Sequence, residues 1–331
     1  MKTQPPGLID VYLAKRKIKK SIYRTPLVKS PGLREIVTAE CYLKLENLQN
    51  TGSFKIRGAT NKILSLSDDE RKRGVIAVSS GNHGRAVASV AQKYNIPAVI
   101  CISETVPRNK VQAIRELGAE IVIAGKSYDE ASEGAEKLQV ERGLTMIHPF
   151  DDPYVIAGQG TIGLELIEDL PEIDSVIVPL SGGGLLGGIA LTLKSINPKI
   201  RTIGVSMDRG PAMFESLKAG RIMEVIEEPT LADALVGGIG KNNAHTFAIT
   251  QQFVDETVLV SEGEIAAGMT FALERHQLVV EGGGAVGIAA VLAGKVKEIG
   301  ENTAIVISGA NVDLPVLIEV AQKSYPYQNI G

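Results

Sequence analysis

The chain has 331 residues, 44% of them hydrophobic and 22% charged, with 35 basic against 38 acidic side chains for a net charge of −3. That length holds two domains or one large α/β unit with a sizeable core, and the ordinary balance excludes a disordered chain. No like-charge block is long enough for a nucleic-acid tail, and no apolar run reaches the length of a membrane span, so neither partner is expected.

In chain order, the N-terminus MKTQPPGLID lacks the apolar stretch of a signal peptide. The one basic run, AKRKIKK at 14–20, reads as a helix face or helix end. Cys41 and Cys101 sit in the apolar runs CYLKL and VICIS and read as buried free thiols in strands, which points to a reducing cytoplasm. CYLKLE (41–46) is a strand, followed by a helix from Lys55 to about Leu66. GVIAVSS, PAVICIS, AEIVIAG and TMIHP are further strands, separated by helices in GRAVASVAQKYN, near Pro107 and around 128–142. After the helix in AGQGTIGLELIEDL, the segments DSVIVPL, RTIGVSM, TVLVS and TAIVIS read as strands, with helices at LLGGIALTLKSIN, 262–276 and 281–294.

These strands are continuous apolar runs, as expected where both faces of a parallel sheet are covered. The βα-sized units predict an α/β fold with two doubly wound open-sheet domains. Residues 70–151 are expected to form a small domain inserted into a larger one built from 1–69 and 152–331. No repeat or low-complexity tract interrupts this plan.

Three strands end in unusual loops: SSGNHG (79–84), SGGGLLGG (181–188) and SGAN (308–311). Ligands of open parallel sheets bind beyond the carboxyl ends of the strands, so three such loops suggest one shared site. SGGGLLGG suits an anion, because glycines let backbone N–H groups converge at a helix start. Tight helix–sheet packing is the structural alternative for the same run. A nicotinamide site is disfavoured, since the run lies mid-chain and the next strand ends in Ser206 and Met207, with no acid for a ribose. TGSFKIRGA, at 51–59, places Lys55 between Phe54 and Ile56 at a helix start; by itself it equally describes a surface lysine on an amphipathic turn. Together, an amine, an anion cradle and polar strand ends are what pyridoxal phosphate needs.

With SFKIRGA, SSGNHG, AGQGTIGLE, SGGGLLGGIA and SGAN in this order, the chain from about residue 20 to 320 resembles the serine/threonine dehydratase and serine racemase family. That family has the tryptophan-synthase-β-like fold, fold type II of pyridoxal-phosphate enzymes. The resemblance implies that Lys55 is the Schiff-base lysine, that Phe54 packs beside the cofactor ring and that Asn82 bonds its 3′-oxygen. It implies a phosphate cradle at Gly182, Gly183, Gly184 and Leu185, a carboxylate near the cofactor at Glu281, and Ser308 facing the pyridine nitrogen. Ser79, Ser80, Gly81, Asn82 and His83 become the loop for the substrate carboxylate, with His83 orienting the loop in preference to acting as a base. Ser53 is expected to cap the helix of Lys55. Burial is expected to lower the lysine pKa, with Arg57 either adding to that shift or serving a structural carboxylate.

The implied activity is a lyase: a dehydratase, or ammonia-lyase, converting a β-hydroxy amino acid such as L-threonine or L-serine to a 2-oxo acid and ammonia. Ser80 stands where family dehydratases often carry alanine. A racemase using Lys55 and Ser80 on opposite faces is therefore the alternative. The glycine-rich LADALVGGIGKNN also leaves room for 3-hydroxyaspartate or a hydroxyectoine breakdown intermediate. No metal site is expected, since the racemase's acidic ligand position is occupied here by Ser206. The resemblance also implies a homodimer or homotetramer.

Overall fold

The computed structural model describes residues 4–104, 106 and 108–324. Pro107, named above as a helix start, lies outside them, and the helix α6 that follows is described from Arg108. The chain begins with α1 (Leu8–Ile18), β1 (Leu27–Lys29), α2 (Pro31–Arg34), β2 (Glu40–Lys44), α3 (Lys55–Ile63) and α4 (Asp68–Arg73). Next come β3 (Val75–Val78), α5 (Asn82–Lys93), β4 (Ala98–Ile102), α6 (Arg108–Arg115), β5 (Glu120–Ile123), α7 (Tyr128–Arg142) and β6 (Thr145–Met146). The chain continues through α8 (Pro153–Asp169), β7 (Ser175–Pro179), α9 (Gly184–Ile196), β8 (Arg201–Met207), α10 (Ala212–Ala219) and α11 (Thr246–Phe253). Then follow β9 (Glu256–Val260), α12 (Glu262–His276), α13 (Gly282–Leu292), β10 (Asn302–Val306) and α14 (Leu314–Ser324).

Two sheets result: a six-stranded one in the order β1-β2-β10-β7-β8-β9 and a four-stranded one in the order β5-β4-β3-β6. Every pairing is parallel except that of β1 with β2. All residues of β3, β4 and β7 are buried, as strands covered on both faces must be. Their β-branched side chains suit a pleated, filled surface. Inside the large sheet, Ser175 on β7 and Thr303 on β10 share a hydroxyl hydrogen bond of 2.5 Å.

Helices fill the faces. In α1, Val11, Ala14 and Ile18 are buried, while Lys15, Arg16 and Lys17 form the last turn, where cations face the negative end of the helix dipole. The basic run is thus a helix end, preceded by a full amphipathic turn that composition alone did not reveal. α4 starts at a capping box, Ser67 with Glu70, and ends at Gly74 with φ 102°. A side chain at Gly74 would also meet the Pro97 carbonyl at 2.6 Å. Cys41 and Cys101 are free and buried, and burial pushes both thiols up to about 11. Among the described residues, no helix is long and apolar enough to cross a membrane.

Candidate active site

Lys55 is the first residue of α3, and the loop before it is pinned to the end of β10. Ser53 bridges Gly309 through the backbone, and the Phe54 N–H donates to the Ser308 carbonyl at 3.1 Å. Phe54 already has helical geometry (φ −55°, ψ −22°) and no side chain caps the helix. The expected cap at Ser53 is therefore corrected: its extended backbone is engaged with Gly309, and its buried Oγ has no partner. The Lys55 Nζ donates to the Pro149 carbonyl at 2.8 Å and lies 5.3 Å from the centroid of the Phe54 ring. Burial lowers its pKa to about 8, against the opposing pull of the Glu281 carboxylate.

Arg57 takes the structural option. It is fully buried and donates to Glu46 at 2.8 Å from both Nε and Nη2, and to Glu165 at 2.7 and 2.9 Å. Lys44, equally buried, pairs with Glu165 at 2.7 Å. Two cations and two carboxylates neutralise one another below the site, and Arg57 plays no part in the lysine shift.

The SSGNHG loop opens α5. Ser79, Ser80, Gly81 and Asn82 are half-buried, and Ser79 Oγ accepts the Gly81 N–H at 3.2 Å. A side chain at Gly84 would stand 2.2 Å from the Ser79 carbonyl, so only glycine lets the loop fold this tightly. His83 is buried, and its Nε2–H donates to the Ile147 carbonyl at 2.7 Å. Burial, with the Lys55 charge adding to it, lowers its pKa to about 3, so the imidazole stays neutral. The bond ties the first turn of α5 to the residue that follows β6.

Asn82 donates to Glu281 Oε1 at 2.7 Å and accepts from the Asn311 amide at 2.6 Å. The backbone N–H of Asn311 closes the triangle on Glu281 Oε2 at 3.1 Å. Glu281 precedes α13 without capping it through its side chain. Burial, with Asp233 nearby, raises its pKa to about 7. Ser308, at the end of β10, is buried and donates to the Gly283 carbonyl at 3.4 Å. LADAL, at 231–235, is packed against the start of α13: a Cβ on Gly282 would lie 2.1 Å from the Leu231 carbonyl.

The SGGGLLGG loop opens α9. Gly183, with φ 82°, precedes the helix, so the first amides after it, of Gly184, Leu185 and Leu186, have no helical carbonyl to reach. A Cβ at Gly182, Gly183 or Gly184 would come within 2.4, 2.7 or 2.9 Å of a neighbour. Free amides at a helix start fit a phosphate, and a buried amine of lowered pKa fits an aldehyde, so the residues present suit pyridoxal phosphate.

Direct bonds bring Asn82 and Glu281 together, while a backbone bond brings Phe54, the residue before Lys55, to Ser308. Sequence reasoning missed Pro149, Phe150 and Asn311. Asn311 ends the SGAN motif and was open to notice, but a proline carbonyl carries no signal in a sequence. Among the described residues, no group of three or more histidine, cysteine or acidic side chains could hold a metal.

Residues 18–309 match the family model described as pyridoxal-phosphate dependent enzyme. The chain is 50% identical over 314 residues to a putative threonine dehydratase of Sinorhizobium fredii, covering 95% of both chains. It is 48% identical to the L-threonine ammonia-lyase of Thermotoga maritima, covering 96% of this chain and 78% of that one. The solved structure of maize serine racemase superposes with a TM-score of 0.91 at 35% identity, over 97% of this chain and 98% of that chain. A match across nearly the whole chain, on a fold whose strand ends converge on a half-buried lysine and a glycine-rich helix start, places this protein in the family of pyridoxal-phosphate-dependent enzymes.

Proposed function

We propose that this chain is an L-threonine ammonia-lyase, with L-serine as a second substrate, releasing a 2-oxo acid and ammonia. The observation that carries the reading is the Lys55 amine, lowered to about 8 beside a free-amide helix start, in a chain 48% identical to a threonine ammonia-lyase. Bound pyridoxal phosphate supplies an aldehyde for an amine and an electron sink for negative charge at the substrate Cα.

The residues then divide the work. Lys55 Nζ is the amine for the aldehyde and, when neutral, takes the Cα proton. A pKa near 8 keeps a useful fraction of it neutral at physiological pH. The amides at Gly183, Gly184 and Leu185, with Gly182 beside them, hold the phosphate, and Phe54 flanks the ring. Asn82, held by Glu281 and Asn311, presents its side chain to the ring's 3′-oxygen. Ser308 offers a neutral hydroxyl to the pyridine nitrogen. A hydroxyl at that place would enforce a protonated ring less than a carboxylate, which would favour loss of the β-hydroxyl. Ser79, Ser80, Gly81 and Asn82 at the start of α5 receive the substrate carboxylate, and His83 fixes that turn.

Residues 70–151 are taken as the unit that closes over substrate, against a cofactor-binding unit of 1–69 and 152–331. A homodimer or homotetramer in a reducing cytoplasm goes with this reading, and the two free buried thiols suit such a compartment.

The test is a panel of L- and D-threonine, L- and D-serine and 3-hydroxyaspartate, with oxo acid, ammonia and enantiomer measured together. L-Threonine should give 2-oxobutanoate and ammonia as the fastest reaction. Enantiomer exchange without oxo acid would overturn the lyase in favour of a racemase. A preference for 3-hydroxyaspartate would overturn the substrate assignment.

A further inference from the structure

The first glycine of SGGGLLGG faces a side chain. A Cβ on Gly182 would lie 2.4 Å from two ring carbons of Phe150 and 2.7 Å from a third. Gly182 is not among the residues with positive φ, so its backbone would accept alanine, and the three atoms nearest such a Cβ all belong to the Phe150 ring. At Gly184, a Cβ would stand 2.9 Å from the Phe150 Cβ and 3.0 Å from its Cα. Gly183 differs, having φ 82° and facing Met213 and Thr250.

Phe150 belongs to a short turn that joins Lys55, the glycine cradle and the starts of α8 and α11. Pro149 supplies the carbonyl that accepts from Lys55. His148 Nδ1 accepts the N–H groups of Phe150 at 3.3 Å and Asp151 at 2.8 Å, and its ring meets that of Phe150 edge-on at 4.8 Å. Asp151 accepts the N–H groups of Ala244, His245 and Thr246 at the start of α11, the helix that walls Gly183. Asp152 caps α8 through the Tyr154 N–H and pairs with Lys62 of α3 at 2.6 Å. Lysine has four rotatable side-chain bonds, so an acceptor fixed by packing is what selects one placement of its amine.

We propose that Phe150, seated on Gly182 and Gly184, is the positioning residue that holds the Pro149 carbonyl on the Lys55 amine, and that Gly182 is glycine to admit the Phe150 ring. The proposal rests on the reading of Lys55 as the cofactor-linked amine. It separates Gly182 from its neighbours in the cradle: Gly183 is constrained by its own φ and by side chains of α10 and α11, and Gly184 by the Cβ and backbone of Phe150, whereas the atoms nearest a Cβ on Gly182 all belong to the Phe150 ring.

The experiment is a double-mutant cycle on the holoenzyme with Gly182→Ala, Phe150→Ala and the pair. Three quantities are measured: the pH midpoint of the bound cofactor's absorbance, cofactor Kd by fluorescence, and kcat for L-threonine. Each single variant should shift the midpoint and lower kcat about tenfold or more, as displaced reacting groups do. The pair should match Phe150→Ala within about twofold, because the added methyl then has nothing to strike. Losses that multiply in the pair would overturn the proposal, as would a Phe150→Ala protein with unaltered absorbance titration and kcat. Should Phe150→Ala fail to fold, Phe150→Leu takes its place in the same cycle with the same criteria. Borohydride trapping of cofactor on Lys55 in the unmutated enzyme keeps the two readings apart. Without trapping, the parent reading fails; with trapping and multiplied losses, this inference alone fails.

Discussion

Asn82 donates to the buried carboxylate of Glu281 at 2.7 Å, joining the first turn of α5 to the residue that precedes α13. The bond spans 199 positions of sequence and ties an element beside the four-stranded sheet to one beside the six-stranded sheet. Asn311 completes the contact from the end of β10, so three separate chain segments meet on one carboxylate.

That carboxylate makes the stability of the cofactor-free protein depend on pH. Its folded pKa, about 7, lies above the ordinary 4.5, so between those values the folded state binds more protons than the unfolded one. Stability is then lost as pH rises through this window, by roughly 3 kcal/mol in all. His83, lowered to about 3, acts in the opposite sense below pH 6.5. The difference between wild type and Glu281→Gln isolates the glutamate. Urea midpoints of the two proteins should diverge from pH 5 to 7, in favour of the variant as pH rises; parallel curves would refute the assignment.

Lys55→Ala should lower kcat/KM for L-threonine by at least about 10³-fold, the range for removing a proton-transferring amine. Its Schiff-base absorbance should vanish on dialysis. A band that persists would place the covalent link elsewhere.

Ser80→Ala addresses the opposite face. Any racemisation of L-serine should fall about 10²-fold or more, while kcat for elimination from L-threonine changes by less than about threefold, the lost carboxylate contact appearing in KM. Chiral chromatography and oxo-acid assays on one sample supply both numbers, and equal losses would dismiss a role for Ser80 confined to the second face.

Arg57→Met should leave Glu165 with Lys44 and leave Glu46 with no cation in a buried setting. Breaking such a group from one side costs about 3–5 kcal/mol, which chemical denaturation can read directly. A loss below about 1 kcal/mol would mean that water reaches these carboxylates, contrary to their burial.

The parallel α/β architecture was legible because buried strands announce themselves as unbroken apolar runs, as in VIAV and AVICI. The edge strand β1 was not, since three residues, none of them buried, carry little pattern. Helices α10 and α11 were likewise missed; both are only eight residues long, and α11 is fastened at its start by Asp151, some 95 positions away.

At the site, the sequence by itself determined the parts whose chemistry is local. A lysine beside an aromatic residue at a helix start, and glycines where backbone amides must lie bare, are written in consecutive residues. Tertiary structure alone decided how those parts are used: Arg57 turns away to Glu46 and Glu165, and Ser53 spends its backbone on Gly309 instead of capping α3. The lysine amine finds a proline carbonyl 94 residues on. Each of these outcomes depends on which distant segment burial brings within hydrogen-bond range. That is settled by the packing of the whole chain, and no short stretch of sequence contains it.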